Sequence, residues 1–189
     1  MDWTILDGFD HDHIIGTYVG TLLRHRLDQA GKRHAYFKLN AMELTACRSC
    51  GACGYKSPGK CVVADDHHEI MRAAAASSVL VYLSPIRFGG YTSPLKMTTE
   101  KFMNLGLPYY MVRKGQLLHR MRYGEKSLMT IGVPEADVAG QEDTFRLLGR
   151  RNAKNLACRH HLAMVVRPSA ALAEAEAALD ATLKEALAW

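Results

Sequence analysis

Several features are missing from this sequence, and each absence closes a class. No apolar run approaches the roughly 18 residues that a membrane-crossing helix needs. The opening residues, MDWTILDGFDHD, carry no basic leader followed by a long apolar segment, so a secretory signal is not expected. No tract interleaves lysine and arginine with aromatics as single-strand nucleic-acid binders do, and a net charge of +5 does not call for a nucleic-acid partner. No internal repeat recurs. Cysteine is sparse and uneven, with five in all and four of them between positions 47 and 61. An odd, clustered set suits a reducing compartment better than a disulfide framework, so the cytoplasm is the expected location.

What is present is ordinary for a globular chain: 48% hydrophobic and 23% charged residues over a length of 189. That length is enough for one domain with a substantial core, and residues 1–189 are read as a single domain with a Cys-rich insertion at about 41–61. Trp3 to Leu6 reads as a strand, and Ile14, Val19, Leu22, Leu23 and Leu27 recur at helical spacing until Gly31. His34–Leu39 is a second strand. Asp66-x-x-Glu69 has the form of a capping box for a helix over 67–76, and Ser78–Leu83 is an apolar third strand. Ser93 reads as the N-cap and Pro94 as the first position of a helix running to about Leu105. Leu107–Glu125 reads as an irregular connection, long enough to suggest a functional role. Ser127–Ile131, Gln141–Ala157, His161–Val166 and Ser169–Leu187 complete the alternation as strand, helix, strand, helix. The expected fold is α/β, a doubly wound five-stranded parallel sheet in a three-layer α/β/α arrangement. Ligands of such sheets bind beyond the carboxyl ends of the strands, which singles out the loops Asp7–Asp12, Ala41–Cys61, Ser84–Ser93 and Gly132–Gly140.

The cysteines follow C-x2-C-x2-C-x7-C (Cys47, Cys50, Cys53, Cys61). Three thiols at two-residue gaps can face one corner, with a fourth from farther along, which favours an iron–sulfur cluster over the paired knuckles of tetrahedral zinc. Free thiols on a Gly-rich loop remain the alternative. Cys158 reads as a small buried residue, and His67-His68 as helix-start residues that cap or face solvent.

Three stretches carry a resemblance. They are the cysteine loop with its continuation Gly59-Lys60-Cys61-Val62-Val63-x-Asp65-Asp66, the loop Ser84-Pro85-Ile86-Arg87-Phe88-Gly89-Gly90, and Leu95-Lys96 on the following helix. The chain resembles the flavodoxin-like NADPH-dependent FMN reductases, and most of all their iron–sulfur flavoprotein branch. The resemblance implies strand order 2-1-3-4-5 and FMN at the switch point. It implies NAD(P)H as donor and Cys47, Cys50, Cys53 and Cys61 as ligands of a [4Fe-4S] cluster in the branch that carries one. The implied flavin contacts are Gly8, Phe9, His11 and His13 in the first loop, residues 84–90 in the third, and Gly132 and Val133 after the fourth strand. Gly89 and Gly90 would bring backbone amides to the ring's polar edge, with Phe88 or Tyr91 covering a face. A homodimer or tetramer is expected, with residues such as Tyr109 and Tyr110 covering a neighbour's site.

The first loop departs from the pattern. Relatives usually carry Gly-Ser-Pro-Arg followed by a hydroxyl residue, a grip for phosphate at a helix start. Here the run is Asp7-Gly8-Phe9-Asp10-His11-Asp12-His13, with carboxylates where hydroxyls are expected. If FMN binds, backbone amides near Phe9–His13 should hold its phosphate, Asp10 and Asp12 should turn outward or cap the helix, and protonated His11 or His13 should help. The basic segment Arg113-Lys114…His119-Arg120-x-Arg122…Lys126 could meet the 2′-phosphate of NADPH or an acidic electron carrier. The resulting functional expectation is an FMN-dependent NAD(P)H oxidoreductase. The alternatives are an iron–sulfur flavoprotein relaying single electrons between protein partners, and a flavin-free binding subunit.

Overall fold

The computed structural model describes residues 2–113, 115–136 and 138–189. Five parallel strands form the main sheet: β1 (Trp3–Asp7), β2 (His34–Lys38), β3 (Val79–Ile86), β6 (Ser127–Pro134) and β7 (His161–Val165), in spatial order β2-β1-β3-β6-β7. Counted among the parallel strands alone, this is the expected 2-1-3-4-5. The order reverses between β1 and β3, which opens a crevice beyond their carboxyl ends.

Burial on both faces explains the apolar runs. Along β3, Val79, Val81 and Leu83 join the core beneath α1 (Ile14–Gln29) and α6 (Leu172–Ala186), while Leu80, Tyr82 and Ile86 face α3 (His67–Ala76), α4 (Ser93–Lys101) and α5 (Gln141–Asn155). Trp3 is buried at the start of β1, its indole N–H without a partner among the described residues. At the other end of the chain the Trp189 ring stacks on His160, 5.5 Å between centroids. Arg26 on α1 reaches Glu176 and Asp180 on α6, tying the two helices of one layer together. No helix among the described residues is long and apolar enough to cross a membrane.

Four local expectations need correction. Leu107–Glu125 is not irregular: β4 (Gly106–Arg113) and β5 (Gln116–Met121) pair antiparallel as a separate two-stranded sheet. The Asp66 carboxylate does not cap α3; it accepts from the Glu43 amide, while Asp65 takes the His67 amide. Thr92, rather than Ser93, is the N-cap residue of α4. The helix expected to reach Leu105 is α4 followed by a 3-10 turn over Phe102–Leu105.

Candidate functional site

The crevice begins at Asp7, the last residue of β1, whose side chain is fully buried. Its Oδ1 accepts the Phe9 amide at 2.8 Å, and its Oδ2 accepts from the Tyr36 hydroxyl and the Lys38 ammonium. A buried carboxylate with three donors is satisfied, and it holds the loop after it in one shape. Gly8 donates its amide to Leu83 O, and a side chain there would meet Thr92 Oγ1 at 2.5 Å. Asn40 Nδ2 lies within hydrogen-bond reach of Gly8 O, Phe9 O and Asp10 Oδ1.

The helix after this loop is capped by a histidine. His13 Nδ1 accepts the Gly16 amide at 3.0 Å, while the His13 carbonyl takes the Thr17 amide. That cap occupies Nδ1, so His13 does not offer this nitrogen as a donor to a ligand while the cap is made. The Phe9 ring is fully buried between the His13 ring and the Cα of Gly16. His11 and Asp12 are exposed at the tip.

The loop after β3 is wired as tightly. Ser84, Pro85 and Ile86 are buried residues of the strand, and Ser84 Oγ accepts the Thr92 amide. Arg87 and Gly90 exchange backbone hydrogen bonds across a turn in which Phe88 (φ 50°) and Gly89 (φ 76°) both take left-handed conformations. A phenylalanine in that region is unusual, and this one is wholly exposed to solvent. Among the described residues the amides of Phe88 and Gly89 have no internal partner. Gly89 has a second reason to be glycine, because a Cβ would meet Thr144 of α5 at 2.6 Å. Tyr91 points inward, with its hydroxyl accepting from Asn152, so of the two aromatics expected near a ring only Phe88 is available. Gly132 and Val133 lie within β6, paired with Ser84 and Pro85, and a Cβ at Gly132 would strike Ile86 and Phe145.

Arg87 joins the three loops. Its guanidinium binds both oxygens of Glu135 at 2.7 Å, just past β6, and reaches Asp10 Oδ2 at 3.3 Å in the first loop. Hydrogen bonding to Arg87 holds the Glu135 carboxyl below its ordinary range. Sequence reading identified Arg87 but not its partners, which only the crossover topology brings together.

The cysteine loop lies on the α4–α5 side of the sheet, with a short helix α2 (Ala52–Tyr55) inside it. Burial, and then the nearby thiols of Cys61, Cys47 and Cys50, push the Cys53 thiol upward, so the four lie in one neighbourhood. They do not close to the spacing of a shared ion: no group of three or more His, Cys, Asp or Glu among the described residues could hold a metal. Beside Cys47 and Cys53 opens a cavity of about 780 Å³, which Tyr82, Tyr110, His119 and Asn152 also line. The Tyr82 hydroxyl is buried there with no partner among the described residues. The loop returns to the core through a network that sequence reading missed. Asp65 accepts from Lys101, His67 and the Thr45 amide, and His67 also meets Thr98 at 3.2 Å. His67 is therefore fully buried rather than facing solvent. Cys158 is partly buried, and burial pushes its thiol up to about 12.

No family model matches the chain. An iron–sulfur flavoprotein of Methanocaldococcus jannaschii is 29% identical over 86 residues, 46% of this chain and 44% of that protein. The match thus spans less than half the length of this curated relative. Whole-length similarity comes from solved structures. An NAD(P)H:quinone oxidoreductase from Methanothermobacter marburgensis superposes with a TM-score of 0.70 at 11% identity, covering 97% of this chain and 96% of that one. An FMN-dependent NADH-azoreductase from Bacillus anthracis, solved with FMN, gives 0.63 at 11% identity and covers 98% and 99%. The fold is the flavodoxin-like fold of these reductases.

Against that flavodoxin-like frame, the basic segment does not converge on the crevice. Lys126 is buried at the opposite, amino end of the strands, donating to the carbonyls of Ala75 and Ser77, and Arg113 reaches the Ala157 carbonyl. Lys114 lies outside the described residues. Fit to FMN divides along the crevice. The ring end fits, with two unspent amides and an exposed aromatic at Phe88–Gly89. The phosphate end fits less well: the expected amides of Phe9 and His13 are bonded to Asp7 Oδ1 and Asp10 O, the Phe9 ring is buried, and the amides left between them belong to a run that carries the Asp10 and Asp12 carboxylates and no hydroxyl.

Proposed function

We propose that the chain is a flavin-dependent NAD(P)H oxidoreductase working in the cytoplasm, with an FMN-type flavin across the crevice at the carboxyl ends of β1, β3 and β6. One observation carries the reading: an exposed turn with unspent amides and a solvent-facing phenylalanine stands at the switch point of a fold shared over its whole length with an FMN-bound azoreductase. A bound flavin would accept hydride from reduced nicotinamide and return electrons to an acceptor. The chain's own part is positional. Ser84 and Thr92 hold the turn from behind, Arg87 and Glu135 brace it, and Phe88 offers a face to a flat ring. Gly8 lets the first loop pack against Thr92, and Gly132 and Val133 support the turn through the β3–β6 pairing. No side chain need act as acid or base, because the cofactor supplies the chemistry. Stopped-flow mixing of flavin-loaded protein with NADH and NADPH tests the reading. Bleaching of the flavin at turnover rates is expected with at least one donor, and no bleaching by either removes it.

A second reading, an iron–sulfur flavoprotein that relays single electrons between protein partners, is favoured by the gathered thiols around Cys53, the cavity beside them and the partial match to an iron–sulfur flavoprotein. Iron analysis of protein purified without oxygen separates the two. About four irons per chain with broad brown absorbance supports the relay, and a yellow iron-free protein points to the simple reductase. The exposed Tyr109, Tyr110, Val112 and Leu117 on the β4–β5 hairpin favour a homodimer or tetramer in which the hairpin covers a neighbouring copy. Light scattering that reports one 21.0 kDa chain with flavin bound would refute the assembly.

A further inference from the structure

We infer that the crevice recognises its flavin through the ring and sugar-alcohol chain and not through the phosphate, so that the protein accepts riboflavin as readily as FMN; this rests on the flavin reading above. The case is an account of donors. Where a flavin phosphate would meet the first loop, the Phe9 amide is held by Asp7 Oδ1, the His13 amide by Asp10 O, the Gly16 amide by His13 Nδ1 and the Thr17 amide by His13 O. The loop from Asp7 to His13 has no side-chain hydroxyl, and its Phe9 ring is packed shut against Gly16. The amides of Asp10, His11, Asp12, Ile14 and Ile15 have no partner among the described residues, and the run they belong to carries the carboxylates of Asp10 and Asp12.

The charges point the same way. Arg87 is the cation facing this end of the crevice, and Glu135 and Asp10 already share it. Lys38, at the end of β2, is bound to the buried Asp7. A dianionic phosphate brought here meets the carboxylates of Asp10 and Asp12, an arginine already shared and a loop in which four amides are already bonded, so it gains little to offset its lost hydration. An uncharged terminal hydroxyl meets no such penalty.

The test titrates the flavin-free full chain with riboflavin and with FMN, following flavin fluorescence at low ionic strength. Dissociation constants within about threefold of each other, or riboflavin the tighter, are expected, where a built phosphate grip would favour FMN by tenfold or more. FMN binding tenfold tighter than riboflavin overturns the inference while leaving the flavin reading intact. Binding of neither at tens of micromolar overturns both. The double variant D10N/D12N supplies the control: FMN should tighten several-fold and riboflavin should not change. Equal tightening of both flavins would show that the carboxylates act on the fold rather than on the phosphate, and would overturn the inference.

Discussion

Asp65 shows how one residue can fasten a whole loop. Burial raises its pKa, but bonds from Lys101, His67 and the Thr45 amide outweigh burial and leave it at about 2. A folded-state pKa below the unfolded value contributes stability that is fully present above about pH 4 and is lost as the pH falls through about 2; the shift corresponds to about 2–3 kcal/mol. Urea unfolding at pH 7 and pH 3 should show the loss begin, and Asp65→Asn should flatten that acid limb. At pH 7 the same variant should cost about 3 kcal/mol, because it strips the counter-charge from Lys101, only 2% exposed. A variant with the acid profile of the native chain would remove Asp65 from this role.

At the scale of the element, the first turn of α1 and the loop before it are one packed unit. A methyl group at Gly16 would sit 2.3 Å from Phe9 Cγ. Alanine favours a helix over glycine by about 1 kcal/mol, whereas overpacking of this kind costs about 1–3 kcal/mol. The clash should win, and Gly16→Ala should lower the thermal midpoint; a rise would mean that Phe9 moves aside freely. This unit also marks where the sequence became unreadable. Val79–Leu83 announced a central strand because burial on both faces requires an apolar run, and the parallel order followed from the strand–helix alternation. His13 gave no comparable signal, because a histidine cap depends on a tautomer and an angle rather than on a residue pattern. The β4–β5 hairpin was hidden because its exposed apolar residues, Tyr109, Val112 and Leu117, break the inside–outside alternation that identifies strands. The Arg87–Asp10 and Arg87–Glu135 contacts span 77 and 48 positions along the chain, distances over which spacing carries no information.

Across the whole molecule the two ends of the sheet are finished differently. The carboxyl ends carry loops braced by ion pairs, while the amino ends are closed by Lys126, 1% exposed, which ties the last turn of α3 to the start of β6. Lys126→Met keeps the stem but leaves the Ala75 and Ser77 carbonyls without this donor, and a loss of about 1–3 kcal/mol is expected by urea unfolding; an unchanged midpoint would show that water satisfies them equally well. The two tryptophans give this asymmetric molecule a pair of built-in optical probes. Trp3, sealed in the sheet, should keep its short-wavelength emission until the core itself opens. Trp189, stacked on His160 at the chain's end, should be dimmed by that neighbour and brighten when the terminus lifts away. Emission colour and brightness therefore separate global unfolding from fraying of the terminus in a single titration, with no label attached.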